Sequence, residues 1–164
     1  MIIRPEQPAD RDAINAVTIA AFSTVPYGSE HDGKITDLLR EAGALRLSLV
    51  AEDAGEILGH VAFSPVGVGT CAEGWVCLGP VSVRPDRHGA GIGSKLIREG
   101  LEQVKSLGEA GCILMGNPAY YSRFGFEVSS DLKLNGEGSP YLQALAFGPN
   151  APHGDVRFHA AFEE

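Results

Sequence analysis

VSVRPDRHGAGIGSKLI, residues 81–97, changes its periodicity halfway along. It leaves an almost continuous apolar run, WVCLGPVSV at 75–83, whose pattern suits a strand covered on both faces. After Pro85 it meets three alternating glycines, Gly89, Gly91 and Gly93, and then takes up helical spacing through Ile92, Leu96, Leu101 and Val104 to a stop at Gly108. Glycines where a strand turns into a helix bare successive backbone N–H groups at the positive end of the helix dipole. Such a turn suits a phosphate or a pyrophosphate. A P-loop would need Gly-Lys-Ser/Thr, which Ser94-Lys95 approaches only in composition, and GAGIGS does not fit the G-x-G-x-x-G dinucleotide turn. A coenzyme A site and a glycine-rich connection without ligand stay open.

The chain on either side builds one mixed α/β layer. Within 75–83, Pro80 cannot donate a ladder hydrogen bond and Gly79 has no side chain to pack, so the strand is expected to bulge and lose pairing there. Upstream, residues 2–4 suit an edge strand. Asp10 is placed to cap a helix through Ile14, Val17 and Ala21, and Ser29 to cap a second through Ile35, Leu38, Leu39 and Ala42, ending near Gly43. LSLVAED and EILGHVAFSPV, joined at Ala54-Gly55, read as a hairpin. Downstream come a short buried strand at CILM (112–115), a turn or two of helix in AYYSRF with a strand from about Phe126, and candidate strands in YLQALAF and VRFHAAF. No repeat or linker divides the chain, which is expected to be a single domain over 1–164.

Composition removes several function classes. The chain has 164 residues, 44% of them hydrophobic and 21% charged, which is enough apolar material for a core. Asp and Glu number 21 against 13 Lys and Arg, a net charge of −8 that repels a nucleic-acid backbone. No run approaches the roughly 18 apolar residues of a membrane span, and MIIRPEQPAD has no apolar signal core, so the expectation is a cytoplasmic protein without nucleic-acid or membrane partners. Cys71, Cys77 and Cys112 have neither C-x-x-C spacing nor a neighbouring His cluster, so no metal site is expected and the thiols read as buried and reduced.

The glycine turn together with NPAYYSRFGFE at 117–127 resembles the GNAT superfamily of N-acetyltransferases, in particular its small bacterial members. The resemblance implies a mixed, largely antiparallel sheet flanked by helices, with a splayed central strand pair. It implies acetyl-CoA as co-substrate, its pyrophosphate wrapped by a Q/R-x-x-G-x-G/A turn that corresponds to His88, Gly91 and Gly93. Here His88 stands for the usual Gln or Arg, and Ala90 where a basic residue is common. Backbone N–H groups of Gly89, Ala90, Gly91, Ile92, Gly93 and Ser94 would do most of the binding, since they need no side chain. The backbone of Val81, Ser82 and Val83 would take the pantetheine arm as an added strand is taken. Asn117 would lie near that arm, although Asn-Pro is also an ordinary turn former. Arg84, Arg87 and Lys95 are basic candidates for the outer phosphate, each also readable as a solvated charge.

Tyr121 corresponds to the tyrosine that protonates the departing thiolate in many members. A phenol titrates near pH 10 and a thiol near 8.5, so the transfer is uphill by only a unit or two. Tyr120, Phe124 and Phe126 are assigned to packing. The implied reaction moves an acetyl group to a primary amine by direct attack in a ternary complex; a non-catalytic acyl-CoA-binding module would use the same glycines. The amine needs a proton acceptor, for which Glu30, His31, His60 and Glu73 are candidates, each also explained by helix-start capping, strand-surface exposure or loop solvation. His159 reads as a packed strand residue. Relatives are commonly dimers, so a homodimer is within expectation, and the acceptor is a small molecule or a protein.

Overall fold

The computed structural model describes residues 1–26, 28–70 and 74–163. Its frame is a seven-stranded sheet that runs, from one edge to the other, through β1 (Ile2–Pro5), β2 (Leu47–Asp53), β3 (Glu56–Pro65), β5 (Trp75–Val83), β6 (Gly111–Met115), β9 (Leu142–Ala146) and β7 (Glu127–Val128). Every neighbouring pair is antiparallel except β5 with β6. A second sheet of three short strands, β4 (Gly67–Val68), β10 (Gly154–Arg157) and β8 (Leu132–Lys133), covers one half of one face. Helices α1 (Arg11–Phe22) and α2 (Ile35–Glu41) lie on that same side, α3 (Ile92–Ser106) packs on the other, and α4 (Pro118–Tyr121) follows β6.

The bulge expected at Pro80 is present. Val61 pairs with Val81 and Phe63 with Leu78, so Ala62 opposes two residues, Gly79 and Pro80. On its other edge β5 pairs with β6 only over Trp75–Cys77. Beyond Cys77 the two strands part, and the splay opens at the end of β5 that feeds the glycine turn. Beneath it lies the main core, where Leu49, Val61, Phe63, Leu78, Leu96 and Ile97 are all buried. Gly100 lets α3 approach closely, because a Cβ there would stand 2.4 Å from the Phe63 ring.

Several local expectations are corrected by contacts between segments. Asp10 does not cap α1 with its side chain; the carboxylate accepts from the Arg4 guanidinium at 2.7 and 3.1 Å and from the Gln7 N–H at 2.7 Å. A charge-assisted pair is the stronger partner, and the Arg4 bond holds Asp10 below the usual carboxylate range. Ser29 opens a short 3-10 helix, Glu30–Lys34, that leads into α2. Within α2, Ile35 and Leu39 are buried, but Leu38 and the following Ala42 are exposed, because so short a helix is covered along one edge only. VRFHAAF is strand only at its start. His159 is therefore not a strand residue: its ring accepts from the Ala161 N–H at 2.9 Å and starts a 3-10 turn, Ala160–Phe162.

His60 is fully buried between β2 and β5. The Ser48 hydroxyl donates to Glu6, so its 2.7 Å contact with His60 Nε2 requires the hydrogen on that nitrogen. Burial outweighs the nearby Glu6 carboxylate and lowers the His60 pKa from 6.5 to about 4. Burial also opposes the charge on Glu6, yet bonds from Arg40 and Ser48 hold its pKa below the ordinary value. A histidine with a depressed pKa binds fewer protons when folded than when unfolded. Its contribution is therefore complete above pH 6.5 and is lost as pH falls toward 4, by about 3 kcal/mol over a shift from 6.5 to about 4. Urea unfolding is expected to show that decline between pH 6.5 and 4, and His60→Gln to flatten it even where its stability at pH 7 is lower. A wild-type curve level over this window would overturn the assignment.

Candidate active site

A cavity of about 530 Å³ occupies the splay. Its floor is Val81 and Val83 of β5, one wall is the turn from Arg87 to Ser94, the facing wall is Tyr120, Tyr121 and Arg123, and the end of α1 with the residues after it closes the remaining side. The local sequence explains each wall. Gly89 and Gly91 hold φ of 82° and 80°, values that L side chains rarely adopt, and Gly91 is the residue from which α3 starts. Lys95 is the first residue whose N–H bonds back into the turn, to the Gly91 carbonyl at 3.1 Å, which leaves Ile92, Gly93 and Ser94 N–H at the helix N-terminus.

The strand floor is more selective than its sequence suggests. Arg84 N–H donates to the Leu58 carbonyl of β3 at 2.8 Å, and backbone groups alternate in direction along a strand. Ser82 therefore directs its amide and carbonyl to β3, whereas Val81 and Val83 direct theirs into the gap that β6 has left. The Ser82 side chain is buried as well, its hydroxyl 3.0 Å from that of Thr18. His88 turns inward: a ring nitrogen lies 2.9 Å from the Val83 carbonyl.

Of the other residues singled out, Ala90 and Asn117 are not among the lining residues. The Asn117 side chain caps α4 by accepting from the Ala119 N–H at 3.0 Å. Arg87 lines the cavity, while Arg84 is held by Asp86 at 2.8 Å and Glu56 at 3.2 Å, and Lys95 is exposed outside it. None of Glu30, His31, His60 and His159 reaches the cavity; His31 is 2.8 Å from the Ala161 carbonyl, and Glu73 lies outside the described residues. Cys77 and Cys112 are buried in the core, where burial pushes the Cys77 thiol up to about 12 and raises Cys112 too, so neither is a thiolate nucleophile; Cys71 lies outside the described residues. Among the described residues, no group of His, Cys, Asp and Glu is arranged to hold a metal.

Two residues escaped the sequence reading. Tyr120, assigned to packing, does pack against the core but also lines the cavity with Tyr121, their rings edge to face with centroids 5.0 Å apart. Arg123 places its guanidinium 4.4 Å from the Tyr120 ring centroid and donates to the Tyr120 carbonyl at 2.8 Å. Their spacing, three residues apart on a helical turn, is the signal that could have paired them. The described lining carries Arg87, His88 and Arg123 and no carboxylate, which favours an anionic ligand.

Residues 45–128 match the family model of the acetyltransferase (GNAT) domain. The chain belongs to the GNAT acetyltransferases. The N-acetyltransferase YhbS of Escherichia coli strain K12 is 39% identical over 142 residues, 85% of this chain and 82% of its own. A crystal structure of a GNAT family acetyltransferase from Brucella melitensis in complex with acetyl-CoA superposes with a TM-score of 0.88 at 52% identity, covering 99% of this chain and 97% of that one. The structure of Escherichia coli YhbS in complex with CoA gives 0.89 at 35% identity, with 99% and 92% covered. As a GNAT N-acetyltransferase the protein takes acetyl-CoA as its co-substrate. The donor set fits it: a diphosphate would need donors such as the helix-terminal N–H groups and two arginines of this lining, and an amide-bearing arm would need an open strand edge such as that of β5. Among the described residues no helix is long and apolar enough to cross a membrane.

Proposed function

We propose that the protein transfers the acetyl group of acetyl-CoA to a primary amine by direct attack in a ternary complex, with Tyr121 as the general acid. The observation that carries this reading is the continuity of the cavity from the Gly91–Ser94 turn, along the open edge of Val81 and Val83, to the Tyr121 side chain. Acetyl-CoA supplies the activated acyl group. The turn holds the diphosphate with the N–H groups of Ile92, Gly93 and Ser94. Val81 and the Val83 N–H orient the pantetheine arm as a neighbouring strand would.

Tyr121 holds the proton that the thiolate takes up. Its ring is set by Gly116, where a Cβ would stand 2.6 Å from a ring carbon, and by Phe126 at 6.1 Å between centroids. Holding both reactants aligned is the larger contribution, worth roughly 7–11 kcal/mol in well-oriented systems. No carboxylate lines the cavity among the described residues, so the reading leaves the acceptor's proton to water.

Thermal shift with acetyl-CoA, ATP and NAD, followed by thiol release over a panel of amines, tests the proposal. Acetyl-CoA at 100 times its dissociation constant is expected to stabilise the fold by about 2.7 kcal/mol, with ATP and NAD far behind. Thiol release with at least one amine is expected too. No shift with acetyl-CoA overturns the site, and a shift with no release from any amine favours a non-catalytic binding module.

A further inference from the structure

The geometry points to Tyr120 as a second anchor for the cofactor's diphosphate, its phenol and the Ser94 hydroxyl binding one phosphate oxygen between them. This rests on the cavity being the acetyl-CoA site. The two oxygens face each other at 3.5 Å across the α3 N-terminus, well beyond the usual 2.7–2.8 Å of an O–H···O bond. At that separation each hydroxyl serves the other poorly, and both have a proton to give to an acceptor placed between them. Gly93 lies beside the pair, and a Cβ there would stand in ordinary contact with the Tyr120 hydroxyl, at 3.5 Å.

The phenol is held at this spot. Tyr121 and Phe124 pack edgewise against the ring at 5.0 and 5.5 Å, and the Arg123 guanidinium covers it at 4.4 Å. The same arginine brings positive charge to the wall that carries the phenol, which suits a phosphate. Beyond Arg87, the glycine turn offers few side-chain donors to this ligand. Ala90 has none to offer, the His88 ring is engaged with the Val83 carbonyl at 2.9 Å, and Arg84 is engaged with Asp86 and Glu56. Tyr120 supplies from the facing wall what the turn lacks.

Steady-state kinetics of Tyr120→Phe with three thioesters, at saturating concentration of an accepted amine, tests this. They are acetyl-CoA, acetyl-dephospho-CoA, which keeps the diphosphate without the 3′-phosphate, and S-acetylpantetheine, which lacks both. The variant keeps the packed ring, so its melting temperature is expected to match the wild type. KM is expected to rise about tenfold for the first two and to stay level for the third, with kcat little changed. A wild-type KM for acetyl-CoA, an effect confined to the 3′-phosphate form, or an equal rise with S-acetylpantetheine each overturns the assignment. A wild-type protein that neither binds nor turns over acetyl-CoA overturns the site reading itself, and this anchor with it.

Discussion

Tyr121→Phe is expected to bind acetyl-CoA as the wild type does and to release thiol about 10²-fold more slowly or worse, the scale of a lost general acid. The substitution removes one oxygen and keeps the ring that packs against Tyr120, Phe124 and Phe126. Neither the fold nor the cavity wall should shift. What disappears is the proton source for a leaving group that is a poor base but still gains from protonation as it departs. The loss should therefore appear in kcat, with the acetyl-CoA thermal shift preserved. A wild-type kcat in this variant would remove Tyr121 from the chemistry and leave it a packing residue. Tyr120→Phe gives the opposite pattern, a KM effect with kcat retained, so the two adjacent tyrosines are separable by the same assay.

That pair also shows where the sequence stops being legible. Pro80 and Gly79 announced the bulge because a missing donor and a missing side chain are local facts, and the parting of β5 from β6 after Cys77 followed. The glycine turn was legible for the same reason, since a positive φ at Gly89 and Gly91 is a demand on the residue itself. Ser82 was grouped with Val81 and Val83 because their side chains gave no hint of amide direction. Only the Arg84 bond to Leu58 and the Thr18 contact, 64 residues away, separate them. Asp10 read as a cap until Arg4 claimed its carboxylate. The three-stranded sheet of β4, β10 and β8 joins segments nearly ninety residues apart, as in the Val156 to Val68 pairing, and strands so short carry almost no periodicity.

The glycine turn supports a sharper test than its most conspicuous residue suggests. Gly91 has a φ of 80° and nothing within 4 Å of the place a Cβ would take, so a larger residue there strains the backbone and points into open space. Gly93 differs on both counts. Its backbone is helical, and its Cβ would stand 3.5 Å from the Tyr120 hydroxyl and 3.5 Å from a Val83 methyl, in ordinary contact with both walls. Gly93→Leu therefore sends its remaining carbons into the space between the floor and the facing wall. Leu is a better helix former than Gly by roughly 0.5–1 kcal/mol, so the melting temperature without ligand should hold or rise. Affinity for acetyl-CoA should fall about 100-fold or more, because the added carbons occupy the diphosphate's place and separate it from the Ser94 N–H. Calorimetric titration beside an unfolding curve reads both quantities. A destabilised variant would leave lost binding explained by misfolding, whereas a stable Gly93→Leu protein that still binds acetyl-CoA normally would show that the ligand does not lie on this helix end.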